Sequence, residues 1–155
     1  MHFQEVAFLL KKYFFVAHLI NQHRHYSIVA NIFFIGHGEC QQALGMESGD
    51  IPDNQLTASS EGRAWLNGEP FYMSARNGRL YNRFVPECWQ SASNDENQWL
   101  QIHLGDQYVN VTRIATQGCG RRPEWVKSYK LQYSDDGENF QYYMETGKNT
   151  EKVTH

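Results

Sequence analysis

The chain has 155 residues, with 41% hydrophobic and 20% charged side chains, the composition of a folded domain with a core. Fourteen Lys and Arg against seventeen Asp and Glu leave a net charge of −3, which excludes the basic footprint of a general nucleic-acid binder and attachment to anionic membranes by bulk charge alone. No uninterrupted apolar run reaches the length of about 18 residues that a transmembrane helix needs.

Charge and composition change together along the chain. Residues 1–39 carry Lys11, Lys12 and Arg24 against Glu5 and Glu39, a net of +1, while residues 40–155 carry 11 basic and 15 acidic groups, a net of −4. The first stretch is apolar and the second is rich in Gly, Asn, Ser, Asp and Trp, which places a boundary near Gly38. Residues 3–20 are apolar but broken by Lys11 and Lys12, residues 21–26 are polar, and residues 27–36 form a second apolar run. Arg24 with its flanking His, the apolar core after it, and Gly36-His37-Gly38 follow the plan of a secretory signal. The core begins late for a signal, so three readings stand: a long signal, an uncleaved anchor, or a start assigned too early. Residues 1–39 are expected to be an apolar, helical segment that serves as a signal or anchor; the alternative is a buried or interfacial helix belonging to something else. His18, His23 and His25 do not suggest a metal site, because zinc needs three or four ligands held by a fold and no acid or cysteine lies beside them.

From Cys40 onward the pattern changes to strands. Turn signals recur at Ile51-Pro52-Asp53-Asn54, Asn67-Gly68, Asn77-Gly78, Leu104-Gly105-Asp106, Gly118-Cys119-Gly120 and Asp135-Asp136-Gly137. Between them Leu100, Ile102 and Leu104 alternate with Gln101 and His103, and Tyr129, Leu131 and Tyr133 alternate with Lys130 and Gln132. That period of two predicts strands with one face inward. Residues 129–143 read as a hairpin turning at Asp135-Asp136-Gly137. Residues 109–117 are strand-like by β-branching, with no clear choice of inner face. Many short strands with regular turns predict an all-β sandwich or barrel.

Four blocks carry a resemblance: LGMESGDIPDNQLTASS (44–60), NDENQWLQIHLG (94–105), VTRIATQG (111–118) and EWVKSYKLQYSDDG (124–137). In this order and spacing they closely resemble the discoidin family, also called the coagulation factor five/eight type C domain. The resemblance covers residues 40 to about 143. It implies an antiparallel jelly-roll β-sandwich over residues 40–155, and an extracellular, secreted or membrane-associated, non-catalytic module of a larger adhesive or receptor protein. Family members bind lipid headgroups, glycans, collagen or other proteins through loops that project from one end of the barrel.

By that resemblance the first projecting loop is residues 61–78. It holds Trp65, Leu66, Phe71, Tyr72 and Met73, side chains suited to entering a bilayer interface, stacking on a sugar or anchoring a protein. Arg63, Arg76, Arg79 and Arg83 flank it, and Arg121 and Arg122 fall in a neighbouring loop of the family layout. Together they would make a basic rim for phosphate, sulfate or carboxylate groups. Trp99, Trp125 and the turn glycines are expected to build the fold instead.

Three cysteines are an odd number. In the family layout Cys40 takes the first position of a pair whose closing member is missing, because the chain ends before the last strands. Cys88 and Cys119 map to the binding end, and a disulfide between them is expected to pre-order the loops. The missing strands suggest an incomplete domain, with bare sheet edges. A second departure is His103, which stands where the family has an acid. Asn110-Val111-Thr112 is a glycosylation sequon at Asn110 and agrees with secretion.

An enzyme is not expected: no GxSxG, P-loop, HExxH or paired CxxC motif occurs, and Asp50, Asp53, Asp135 and Asp136 all sit at turns where Asp is common. The function read from the sequence is adhesion or ligand recognition at the cell surface, on anionic lipid or a receptor protein. The alternative is a carbohydrate-binding module of a larger extracellular protein or enzyme. No nucleic-acid partner and no cofactor or metal is expected; a structural calcium ion would fit the resemblance, without an assignable ligand set.

Overall fold

A computed structural model describes residues 3–12, 14–21, 27–35, 41–106, 109–120, 124–126, 128–144 and 153–154. The N-terminal part holds β1 (Phe3–Lys12), β2 (Phe14–Asn21) and β3 (Ser27–Ile35), followed by β4 (Gln41–Ala43). After a 3₁₀ turn at Asp53–Gln55 come β5 (Leu56–Ala58), β6 (Gly62–Leu66) and β7 (Glu69–Met73), then a second 3₁₀ turn at Ala75–Asn77. The remaining strands are β8 (Trp89–Gln90), β9 (Trp99–His103), β10 (Val109–Gln117), β11 (Ser128–Ser134), β12 (Gln141–Tyr142) and β13 (Val153–Thr154).

Two antiparallel sheets carry the core. One runs β1-β10-β3-β4 with β8 paired to β3; the other runs β12-β11-β2-β9-β5 with β13 paired to β11. Strands β6 and β7 form a separate two-stranded hairpin. The all-β expectation holds. The alternation read in β9 and β11 is realised, with Leu100, Ile102, Tyr129 and Leu131 in the core and Gln101, Lys130 and Gln132 half-exposed. Fully burying each such side chain contributes about 1.5–3 kcal/mol. Trp89, fully buried, packs with Met46, Leu56, Leu100, Val111 and Ile114 in the main cluster, and its indole Nε1 donates to the Ser60 carbonyl at 3.0 Å. Trp99 and Trp125 are half-buried.

The facing of residues 109–117 was ambiguous for a physical reason. β10 lies between β1 and β3, and its register shifts between Val111 and Arg113. Val109 and Val111 are buried before the shift; Ile114, Ala115, Thr116 and Gln117 are all buried after it. A bulge with cover on both faces erases a simple period of two.

The N-terminal expectation needs correction. Residues 3–12, 14–21 and 27–35 are strands, not a helix. β1 and β3 flank β10, and β2 pairs with both β11 and β9. So β10 has a strand neighbour on each side. An interior strand and a signal core are both continuous apolar runs, so periodicity alone does not separate them. Among the described residues no helix is long and apolar enough to cross a membrane. Cys40 and the boundary near Gly38 lie outside the described residues. Asn110 lies in β10, opposite Lys11 in the ladder.

The β11–β12 hairpin turns where expected, with Gln132 opposite Tyr142 and Gly137 at φ +77°. Its turn is a carboxylate cage. Asp136 accepts hydrogen bonds from the backbone N–H groups of Asn139 (2.8 Å) and Glu138 (2.9 Å), the Asn139 amide (2.7 Å) and the Ser134 hydroxyl (2.8 Å). The Asn139 donors first, then those of Glu138 and Ser134, hold its carboxyl well below the usual carboxylate range. A depressed folded pKa contributes stability above the unfolded value of about 3.9, and that stability is lost as pH falls through the folded value. Asp136→Ala is therefore expected to lower the melting temperature at neutral pH, with a gap to wild type that narrows steadily below about pH 4. Thermal melts across that range measure it; a gap independent of pH would mean that charge does not hold the turn.

Candidate functional site

The segment expected as a loop over residues 61–78 is mostly the β6–β7 hairpin, followed by a 3₁₀ turn. Asn67 (φ +53°) and Gly68 (φ +85°) make its tight turn. Both central residues have positive φ, as the turn type that matches strand twist requires. The hairpin root sits hard against β8: a Cβ on Gly62 would meet the Gln90 and Ser91 carbonyl oxygens at 3.1 and 3.2 Å. Only glycine allows that approach without a shift.

Register separates the hairpin's side chains into two faces. Gly62 opposes Met73, Ala64 opposes Phe71 and Leu66 opposes Glu69; the other face carries the Arg63–Tyr72 and Trp65–Pro70 pairs. Met73 is 1% exposed and packs with Leu80, Cys88 and Ala115 in a second small core, with Ala64, Phe71 and Cys119 against it. This corrects one expected contact residue: Met73 is a core side chain. Phe71 is half-buried on the same face. Trp65 (63%), Leu66 (49%) and Tyr72 (59%) are exposed.

Arg79 is the second correction. Its guanidinium donates to the Met46 carbonyl (3.0 Å) and the Ile51 carbonyl (2.8 Å) and pairs with Asp53 at 2.6 Å. Those bonds tie the 46–53 loop to the segment after the second 3₁₀ turn, so its donors are spent inside the domain. Arg76, in contrast, is exposed and has no ion pair among the described residues. Arg63 places its guanidinium 4.8 Å from the Trp65 ring centroid. Arg83 is exposed. Arg121 and Arg122 lie outside the described residues.

The sequence reading missed the second projecting element. Residues 81–86 form a ridge beside the hairpin, with Phe84 84% exposed, Val85 47% and Tyr81 46%. Asn77 and Asn82 side-chain amides each donate to the Pro86 carbonyl at 3.1 Å, and Phe84 N–H donates to the Asn82 side-chain oxygen at 3.1 Å. These bonds fix a loop that has few apolar contacts of its own. The available signal was Phe84-Val85-Pro86, an apolar triplet ending in proline inside a polar stretch.

Val85 and Pro86 line three recesses. A small one of about 180 Å³ lies between the ridge and the hairpin, walled by Trp65, Leu66, Phe71 and Cys119. Wider ones of about 560 and 310 Å³ flank the other side and share Asp53 and Arg76. The expected disulfide is present: Cys88 and Cys119 are bonded, with Cα atoms 5.3 Å apart and a sequence separation of 31. It ties the end of the ridge to the end of β10. Among the described residues no group of three or more His, Cys, Asp or Glu is placed to hold a metal ion. A cross-link closing a loop of this length stabilises by about 3–4 kcal/mol. Cys88→Ser with Cys119→Ser is expected to lower unfolding stability by that order in denaturant titrations; an unchanged midpoint would deny the bond its role.

The sequence matches the family model of the F5/8 type C domain over residues 55–155. It is 41% identical over 116 residues to human EGF-like repeat and discoidin I-like domain-containing protein 3. It is 39% identical over 118 residues to bovine coagulation factor V, and 41% identical over 119 residues to rat lactadherin. These matches cover 74%, 74% and 76% of this chain but only 24%, 5% and 27% of the three relatives. The chain thus spans about a quarter or less of proteins that are much longer. No solved structure gives a significant match. A sandwich with these sequence blocks, carrying a hairpin and a ridge side by side, belongs to the F5/8 type C (discoidin) family, and the domain is a non-catalytic binding module.

Proposed function

We propose that the domain works outside the cell and docks onto anionic lipid surfaces through the tips of the hairpin and the ridge. The observation that carries this reading is the juxtaposition of exposed apolar side chains from two elements. Leu66 and Trp65 of β6 line one recess together with Val85, and Phe84 stands next to Val85 at 84% exposure. A water-soluble domain rarely exposes several large apolar groups in one place without a partner. Arg63, Arg76 and Arg83 are exposed around them. With a net charge of −3 the whole domain is not attracted to an anionic surface, so the attraction must be local.

The chemistry divides between the two kinds of side chain. Apolar tips enter the interface and lose water; each large one contributes about 1.5–3 kcal/mol when fully buried. An arginine near an anionic leaflet adds about 1 kcal/mol and weakens with salt. The disulfide and the second core hold the tips in place before contact, which cuts the ordering cost of binding.

Sedimentation of the chain with phosphatidylcholine vesicles, with and without phosphatidylserine, tests the reading. Binding is expected only to the anionic vesicles. Phe84→Ala and Leu66→Ala should each weaken it about tenfold or more, and Arg76→Gln about fivefold with a shallower salt dependence. Equal binding by wild type and Phe84→Ala would sink the proposal and turn attention to a receptor protein.

A further inference from the structure

We infer that the chain exchanges its N-terminal strands with a second copy of itself: β1, β2 and β3 of each molecule seat in the body of the other, giving a symmetric dimer. The surface that accepts them is the pair of gaps the same strands fill within one chain. β2 lies between β11 and β9, and β3 lies between β10 and β4. β1 covers the other side of β10. Without this arm, no strand links β11 to β9 or β10 to β4. The arm thus supplies an interior strand to each sheet.

Three features of the topology favour exchange. First, among the described residues the three strands pair only with strands of the body and never with one another. The arm has no sheet of its own to hold it together before it docks. Second, a single connection joins arm to body. Residues 36–40 link β3 to β4, with Gly36 and Gly38 among them. All three strands precede that connection, so a change there alone frees the whole arm, and glycine takes up turned and extended conformations alike. Third, docking joins positions far apart in sequence: Phe3 opposes Gln117 and Phe14 opposes Ser134. Contacts of such separation are slow to form. Until they form, the gaps accept an arm from either chain, because the pairings gained are the same. Concentration then decides between an arm of the same chain and that of a neighbour.

Size and register both point to a second copy as the occupant. Strands of 10, 8 and 9 residues bring as much chain as one side of a standard interface, about 20–30 residues. The pairing is antiparallel on both sides of β2 and of β3. An unrelated segment would have to match four ladders in two sheets at once, whereas an identical arm matches them by identity. Exchange leaves the hairpin, the ridge and the second core within one chain, since Met73, Leu80, Cys88 and Ala115 all belong to the body. The inference therefore stands apart from the lipid contact.

The test is mixed refolding of the full chain carrying Cys40→Ser, which leaves no free thiol because Cys88 and Cys119 are bonded to each other. One variant adds Val16→Cys, a second Gln132→Cys and a third both; Val16 opposes Gln132 across β2 and β11. The third variant, folded at about 1 μM, is expected to cross-link within one chain on treatment with a short bis-maleimide, which checks folding and register. The first two, unfolded together with their disulfide intact and refolded at about 100 μM, are expected to give a cross-linked dimer of twice the chain mass, at least about tenfold more than after refolding at about 1 μM. Neither alone should cross-link. The adjacent pair His18→Cys and Lys130→Cys repeats the test at a second rung of the same ladder. Phe84→Ala should leave the dimer yield unchanged whatever it does to vesicle binding. The inference is overturned if, at both rungs, the double variant cross-links within its chain and the mixture gives no cross-linked dimer. It also falls if a single variant alone gives as much dimer as the mixture, or if neither double variant cross-links.

Discussion

Everything at the binding end depends on one small core and the disulfide inside it. Hairpin and ridge are both short, and neither buries enough apolar area to fold alone. They are held because Met73 of the hairpin, Leu80 before the ridge and Ala115 of β10 pack around Cys88, whose bond to Cys119 fixes the ridge to the sheet. Close packing at the disulfide needs a residue without a side chain: a Cβ on Gly118 would meet the Glu124 carbonyl at 2.9 Å and the Trp125 side chain at 3.1 Å. The Cys119 N–H donates to that same carbonyl at 2.8 Å. A rigid base therefore carries exposed tips, and the apolar residues outside are displayed at the expense of four buried ones beneath them.

Arginine chemistry shows how the same residue type divides between building and binding. Arg79 and Arg76 are three positions apart, and composition does not distinguish them. Arg79 meets two backbone carbonyls and Asp53, so it replaces the backbone partners that the 46–53 loop cannot find in a sheet. Arg76 sits exposed on the 3₁₀ turn and lines two recesses. The difference is made by a loop more than twenty residues earlier in the chain, which no local pattern reveals.

That separation also marks what was legible. The alternation in β9 and β11, the turn at Asp136 and the Cys88–Cys119 pairing were open to reading, the first two from period and turn chemistry, the third through family resemblance. Met73 was misplaced because a hairpin's two faces differ by one residue, and the register that decides between them comes from the turn at Asn67-Gly68. Phe84 went unnoticed because a single exposed aromatic carries no periodic signal. The N-terminal runs were read as a helix because Phe14–Asn21 and Ser27–Ile35 are apolar without alternation, which fits a strand among other strands equally well.

The hairpin explains how one element can present two chemistries. A two-stranded ribbon has two faces and a tip, and register assigns side chains to each. Its inward face is spent on anchorage through Met73 and Phe71. The tip region, with Leu66 beside the ridge, is apolar. The outward face, with Arg63 stacked on Trp65, is aromatic and cationic. Trp65 belongs to both exposed regions, lining the recess by the ridge while pairing across the ladder with Pro70.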